Sequence, residues 1–311
     1  MPGRVAVHER PAPAWVRVAA AVIRRSPAGR YRMTHALGRG VAPFTMRLPP
    51  DLGSYRFHCD LRDSVAREVC FTGRYEPQET SLAARLLRPR MTVVDVGANW
   101  GYFTLAAAHW VGPSGRVIAF EPEPRLFEIL TRNCDVNALA HVRAHREAVA
   151  KTAGRLSFRA YREDAGNWGV TAVADDPRDA DFECESVGLD DALDAEAVDK
   201  VDVVKVDVEG AEADVLAGMS RGLAAGRYRY VILECHPAAL HARGLTVAEA
   251  VAPLARAGYR LWTIDHSPRL HRLAAAGRAA ASELLRVFDA SDGLREWPHI
   301  LAAAPGAPDP S

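Results

Sequence analysis

Residues 91–121 read MTVVDVGANWGYFTLAAAHWVGPSGRVIAFE, and the fold turns on this stretch. The apolar run Val93-Val94-Asp95-Val96 has the composition of a buried strand. Gly97-Ala98-Asn99-Trp100-Gly101 is a glycine-hinged turn, an amphipathic helix begins near Tyr102, and a second strand ends on the carboxylate of Glu121. Strand, tight turn and helix N-terminus in this order form the crossover unit of a parallel α/β sheet, and nucleotide-type ligands are held at such turns.

The turn suits S-adenosylmethionine better than a dinucleotide. A pyrophosphate needs the G-x-G-x-x-G pattern at a helix N-terminus. Here the third glycine is missing and an Asp precedes the first. Asp95 is expected to face the cationic methionyl end, with Gly97, Asn99 and Gly101 shaping the bend. Glu121 is expected to accept hydrogen bonds from both ribose hydroxyls. An ordinary strand-turn-helix of an α/β protein would also place glycine at the turn.

The chain has 311 residues, with Lys+Arg and Asp+Glu equal at 39 each, so the molecule as a whole offers no field for nucleic acid. Its five cysteines, Cys59, Cys70, Cys134, Cys184 and Cys235, lack C-x-x-C spacing, and their odd number suits neither a disulfide framework nor a structural zinc site. Reduced thiols in a cytoplasmic protein are expected. No stretch has the length of an integral membrane segment, and no export signal is read. The first fifty residues carry nine arginines against one acid, Glu9, and form a separate compositional zone. The expected division is residues 1–75 as a basic N-terminal extension with a small hairpin, and 76–311 as the cofactor-binding domain. The extension reads as a loosely packed terminus, or as a basic arm with a short amphipathic helix over 15–23 that touches a partner, a lipid surface or a second copy.

Alternation over 55–59 predicts the hairpin, 72–77 a loop and 78–87 a helix. Beyond Glu121, helix and strand signals alternate: a helix over 124–137, a strand over 141–149, a short piece over 155–161, an acidic loop-rich stretch over 175–199, and a strand over 201–207. A helix over 212–219, a strand over 228–234 and a helix over 246–257 follow, with 259–264 and 299–303 closing the sheet.

Two further clusters carry chemistry. In Lys205-Val206-Asp207-Val208-Glu209-Gly210-Ala211-Glu212, the alternate residues Lys205, Asp207 and Glu209 share one face as the chain leaves the sheet, where ligands sit in open α/β folds. Lysine is rare here, with only Lys151, Lys200 and Lys205, so a lysine inside a strand stands out. A buried ion pair that merely satisfies the strand end is the structural alternative. In Leu233-Glu234-Cys235-His236-Pro237, Glu234 and His236 alternate onto one side, and His236 is the natural proton acceptor near neutral pH or else a turn histidine. Asp207 and Glu209 would orient an acceptor hydroxyl, with Lys205 steadying the carboxylates. A divalent metal is possible but not predicted. Asn167 and Trp168, in a glycine-flanked loop, are candidates for substrate contact together with Glu234, ahead of Trp262.

These clusters, in this order, resemble the FkbM family of S-adenosylmethionine-dependent methyltransferases. The matching segments are Gly73-Arg74-Tyr75-Glu76-Pro77, residues 94–104, Phe120-Glu121-Pro122-Glu123-Pro124, residues 202–212 with their Lys-x-Asp-x-Glu-Gly core, and Ile232-Leu233-Glu234. The resemblance covers roughly residues 70–240 and implies the α/β class I methyltransferase fold, a Rossmann-like seven-stranded sheet, here with an N-terminal extension. It also implies O-methylation of a small-molecule hydroxyl on a sugar or secondary metabolite, and it adds Glu76 and Asp207 to the expected cofactor contacts. Trp100, Tyr102 and Phe103 are bulkier than the residues that often follow the Asn. A nucleic-acid or protein methyltransferase docking through the basic arm is the alternative function. A homo-oligomer is possible.

Overall fold

The computed structural model describes residues 10–25, 34, 37–38, 40–160, 166, 168–169, 171–174, 176–289 and 297–311. The strands are β1 (Phe44–Arg47), β2 (Arg56–Cys59), β3 (Thr92–Val96), β4 (Arg116–Phe120), β5 (Val142–His145), β6 (Ala148–Ala150), β7 (Gly154–Arg159), β8 (Ala172–Val173), β9 (Phe182–Gly188), β10 (Val201–Val206), β11 (Tyr228–Glu234), β12 (Arg260–Ile264), β13 (Leu285–Val287) and β14 (His299–Ala303).

The central sheet runs β13-β12-β14-β11-β10-β3-β4-β5. From β5 to β11 every pairing is parallel, and β14 is antiparallel to both β11 and β12. Parallel strands covered on both faces must be apolar throughout. Val93, Val94, Val203, Val204 and Val206 are accordingly all buried. Seven of these strands are the expected sheet. An eighth, β13, adds a short antiparallel edge to β12.

The chain moves outward from β3 to β5 in one direction and later from β10 to β11 in the other, so the strand order reverses between β3 and β10. That reversal opens a crevice beyond the strands' carboxyl ends, the usual ligand position in such sheets.

Three stretches differ from the sequence expectation. The strand read over 141–149 is two strands in two sheets. β5 pairs with β4, whereas β6 pairs with β9 in a separate four-stranded sheet ordered β6-β9-β7-β8. The stretch 175–199, expected as loop, contains β9 and the helix Leu189–Ala195; its acids stand on exposed positions of an alternating strand and on a helix N-terminus, which mimics loop composition. The interval before residue 75 holds the helix Ser64–Thr72, unread from the sequence although its boundaries are marked. Asp63 Oδ1 caps it by accepting from the Ala66 N–H at 2.9 Å, and Gly73 ends it in the left-handed region at φ 79°.

The helix Ala14–Arg25 turns Val16, Ala20 and Ile23 inward, into the same apolar cluster as Phe44, Phe57, Trp100 and Leu105. It packs against the helix Ser64–Thr72, which in turn leads into the loop at Tyr75 and Glu76.

Candidate active site

The bend after β3 is made by backbone. The N–H groups of Gly97 and Ala98 both donate to the Phe120 carbonyl at 2.9 Å, locking the turn to the tip of β4. Gly97 adopts φ 80°, and a Cβ there would sit 1.8 Å from the Asp207 carbonyl oxygen, so only glycine admits β10 this closely. Asn99 also lies in the left-handed region, at φ 51°. Its N–H donates to Glu121 Oε2 at 2.7 Å, while Glu121 Oε1 accepts from the Glu123 N–H at 2.9 Å. A carboxylate has about four lone-pair sites, so Glu121 keeps acceptor capacity for two hydroxyls. Burial pushes its pKa up to about 8 against those backbone donors.

Asp95 is buried beneath the bend. Its Oδ2 accepts from the Thr104 hydroxyl at 2.5 Å and its Oδ1 is left without a hydrogen-bond partner. Burial lifts its pKa to about 6, with the Lys205 ammonium opposing the shift. An orphaned buried acceptor, a glycine bend pressed against backbone and an acid at the neighbouring strand tip fit S-adenosylmethionine, which brings a cationic end and a ribose diol. Asp95, Gly97, Asn99, Lys205, Glu76 and Asp207 line one crevice, which measures about 20 Å³.

Lys205 is the cation between the two halves of the site. Its Nζ lies 3.2 Å from Glu76 Oε2 and 3.0 Å from Asp207 Oδ2, under the ring of Phe103 at 5.9 Å. Burial alone would lower its pKa, but the carboxylates of Asp207 and Glu76 outweigh burial and raise it well above the ordinary value. Burial likewise disfavours ionised Asp207, and Lys205 overrides it to hold that carboxyl below its usual range. Glu76 precedes the helix Pro77–Leu86 at φ 43°, a strained conformation for a residue with a side chain, and makes no cap with that side chain. The strain is compensated by its reach to Lys205.

The register of β10 against β11 sets Lys205 beside Ile232 and Val206 beside Leu233, which brings the two strand tips together. His236 lies just past β11. Its Nδ1 is 2.7 Å from Glu212 Oε1, which also accepts from the backbone N–H groups of His236 and Gly210. Its Nε2 faces Glu209 Oε2 at 3.2 Å and Glu234 Oε1 at 3.6 Å. Burial would lower the His236 pKa, and the bond to Glu212 with the charge of Glu209 raises it instead. Burial pushes Glu209 up to about 7, with His236 opposing, and Glu234 up to about 12, where Asp207 and Glu76 reinforce it.

Lys205 and Asp207 form the strand-end ion pair, while Glu209, beyond the strand at φ 49°, turns to His236. The ligating atoms of Asp207, Glu209 and His236 lie within 4.8 Å of one another, as do those of Glu76, Asp207 and Glu234. The all-carboxylate second set has donors suited to a hard divalent ion, whereas the imidazole of the first suits a borderline transition metal. Lys205 already supplies positive charge to the Glu76–Asp207 pair.

Trp168, expected to contact substrate, is buried. It is 4% exposed, its ring stacks on Trp100 at 5.5 Å and lies under the Arg125 guanidinium at 4.1 Å, and its backbone N–H donates to Asp63 Oδ2. Trp262 is also in the core. Asn167 lies outside the described residues.

Two features were not read from the sequence. Glu212 orients His236 from a fully buried position. Glu79, buried in the helix Pro77–Leu86, meets His266 Nε2 at 2.6 Å and His299 Nδ1 at 3.0 Å, and His299 Nε2 faces Glu234 at 3.6 Å. The acidic end of the Glu-Gly-Ala-Glu segment marks Glu212. Nothing local marks the Glu79 cluster, whose members are separated by most of the chain.

The sequence profile of the methyltransferase FkbM domain matches residues 95–261, more than half of the chain. The chain belongs to the FkbM methyltransferase family. It is 32% identical over 204 residues to the 31-O-demethyl-FK506 methyltransferase FkbM of Streptomyces tacrolimicus, covering 54% of this chain and 77% of that protein. It is 32% identical over 142 residues to the hexuronic acid methyltransferase AglP of Haloferax volcanii, covering 46% and 54%. The chain spans between 54% and 60% of the length of three such relatives. A solved FkbM methyltransferase from Methylobacillus flagellatus aligns with 92% of this chain and 60% of that one at 16% identity, with a TM-score of 0.40. S-adenosylmethionine is the cofactor that goes with the family. No helix among the described residues is long and apolar enough to cross a membrane.

Proposed function

We propose that the protein transfers a methyl group from S-adenosylmethionine to a hydroxyl of a small molecule, a sugar or a secondary metabolite, with His236 taking the hydroxyl proton. The observation that carries this reading is the double membership of Asp207. It lines the cofactor crevice with Asp95, Gly97 and Asn99, and its carboxylate lies within 4.8 Å of the ligating atoms of Glu209 and His236. On this reading the methyl donor and the proton acceptor share one wall. The names of two relatives support this reading, a hexuronic acid methyltransferase for a sugar-derived acceptor and a 31-O-demethyl-FK506 methyltransferase for transfer to oxygen.

The cofactor supplies an electrophilic methyl on a sulfonium. The chain's own residues have two tasks, alignment of the acceptor and removal of its proton. With Nδ1–H donated to Glu212, the neutral imidazole presents a bare Nε2 toward Glu209 and Glu234. An acceptor O–H that displaces Glu209 from Nε2 gives its proton to Nε2 as the oxygen takes the methyl from the sulfonium, leaving a neutral thioether and an imidazolium beside the carboxyl groups. Asp207 and Glu209 orient the hydroxyl, and Lys205 keeps Asp207 ionised. Residues 76–311 are proposed as the catalytic unit, with 1–75 as an extension of it.

The test pairs calorimetry with S-adenosylmethionine against methyl transfer from labelled cofactor to a panel of uronic acids and polyketide alcohols. His236→Gln should bind the cofactor as the parent does and lose transfer. Transfer within threefold of the parent would remove His236 from the base role, and absence of binding by the parent would remove the reading altogether.

A further inference from the structure

The helix Ala14–Arg25 presents three faces. Val16, Ala20 and Ile23 are buried in the core, and Trp15, Val18 and Val22 point away from it at 47%, 64% and 57% exposure. With Val173, Val287 and Trp297 they make up the exposed large apolar residues among those described, and only here do three fall on one helical stripe, at spacings of three and four. The third face, carrying Arg17 and Arg24, opens on a cleft of about 580 Å³. Five arginines line this cleft, Arg10, Arg17, Arg24, Arg47 and Arg56, over a floor that includes Val16 and Met46, and no acidic residue among those described lines it. Arg24 donates to the Cys70 carbonyl at 2.9 Å, and burial lowers its pKa, with the charge of Arg74 adding to the effect.

We propose that this helix and its cleft form a docking surface for an anionic lipid bilayer. A bilayer interface is the surface that calls for an apolar stripe and a guanidinium cluster on separate exposed faces of one helix. The stripe enters the headgroup and acyl boundary, Trp15 sits at the level where indoles are favoured, and the arginines meet lipid phosphates with their apolar stems along the interface. The charge balance of the surrounding segment, nine arginines to one acid over the first fifty residues, is complementary to such a surface, while the whole chain is neutral. A helix of 12 residues with a mixed face lies on a membrane and does not span it. The docking helix packs on the helix Ser64–Thr72, whose Val65 forms part of the cofactor crevice wall. Docking would therefore hold the crevice near the bilayer, where an amphiphilic acceptor would be found.

The inference does not depend on the identity of the reaction, and its test reads it separately. The full chain is sedimented with vesicles of phosphatidylcholine alone and with vesicles containing an equal share of phosphatidylglycerol, at low and high salt. The account expects binding only to the anionic vesicles, weakened by salt. Trp15→Ser/Val22→Ser and Arg10→Glu/Arg17→Glu should each weaken it by roughly tenfold or more. All four side chains are exposed, so cofactor affinity should stay at the parent value and certify the fold. Absence of vesicle binding overturns the proposal, as does binding that neither double variant alters. Self-association abolished by Trp15→Ser/Val22→Ser without vesicle binding would assign the face to a second copy. Retention of RNA without vesicle binding would assign it to nucleic acid.

Discussion

At the tips of β3 and β4 the protein holds its candidate cofactor groups with main-chain hydrogen bonds contained within residues 91–123, whereas at the tips of β10, β11 and β14 it assembles acids and histidines by side-chain contacts between segments from Glu76 to His299. In the first arrangement the bend and Glu121 are tied to the polypeptide that the helix and sheet already fix. The second depends on sheet register and on mutual electrostatics, which makes its protonation states cooperative and its chemistry adjustable. Asp207 belongs to both, its backbone pressed against Gly97 and its carboxylate held by Lys205.

The sharpest break of this contrast is Gly97→Ala. A methyl group there meets the Asp207 carbonyl at 1.8 Å, and the left-handed backbone adds strain of about 1 kcal/mol or more. Cofactor binding by calorimetry and methyl transfer should both be lost, with a lowered melting temperature. Normal cofactor affinity in this variant would show that the bend is not the binding element.

On the other side, His236→Gln should lower kcat by about 10²–10⁴ and leave cofactor affinity within threefold. Glu212→Gln keeps an acceptor for Nδ1 but removes the charge, so kcat should fall by roughly tenfold. The His236 pKa is raised by its carboxylates and the base must be neutral, so activity is lost as pH falls through that raised value. The acid limb of the kcat profile should therefore lie above pH ~6.5 in the parent and move downward in Glu212→Gln. An unmoved limb would separate Glu212 from the titrating group.

The smallest effect concerns Glu121. Burial raises its pKa to about 8, so the folded chain binds this proton more tightly than the unfolded one, and the stability it confers is lost as pH rises through that value. Hydroxyl donors favour the carboxylate, so cofactor binding near neutral pH should release up to about one proton. Calorimetry in two buffers of different ionisation heat measures it, and Glu121→Gln should abolish the release. Equal release in parent and variant would exclude Glu121 as the ribose acceptor.

The same contrast explains what the sequence could tell. Val93 to Val96, the glycines of the bend and Glu121 are contiguous, and their periodicity and turn chemistry encode the backbone-built half directly. In the other half, Lys205, Asp207, Glu209, Glu234 and His236 were legible because alternation places them at adjacent strand tips. Glu79, His266 and His299 were not, because only the antiparallel return of β14 beside β11, with Glu234 opposite His299, brings them in. The four-stranded sheet escaped notice because the break between β5 and β6 is two residues long and changes sheets without changing composition. Trp168 shows the converse, a glycine-flanked aromatic with the pattern of a binding loop that packs against Trp100.

The central claim is that the Gly97–Gly101 bend and Glu121 hold the cofactor so that its sulfonium faces Asp207 and His236. A crystal structure with S-adenosylhomocysteine measures this directly. The account predicts ribose oxygens within hydrogen-bonding distance of Glu121 and the sulfur on the Asp207 side of the crevice. A homocysteine end directed away from Asp207 and His236, or a cofactor bound anywhere else, would contradict it.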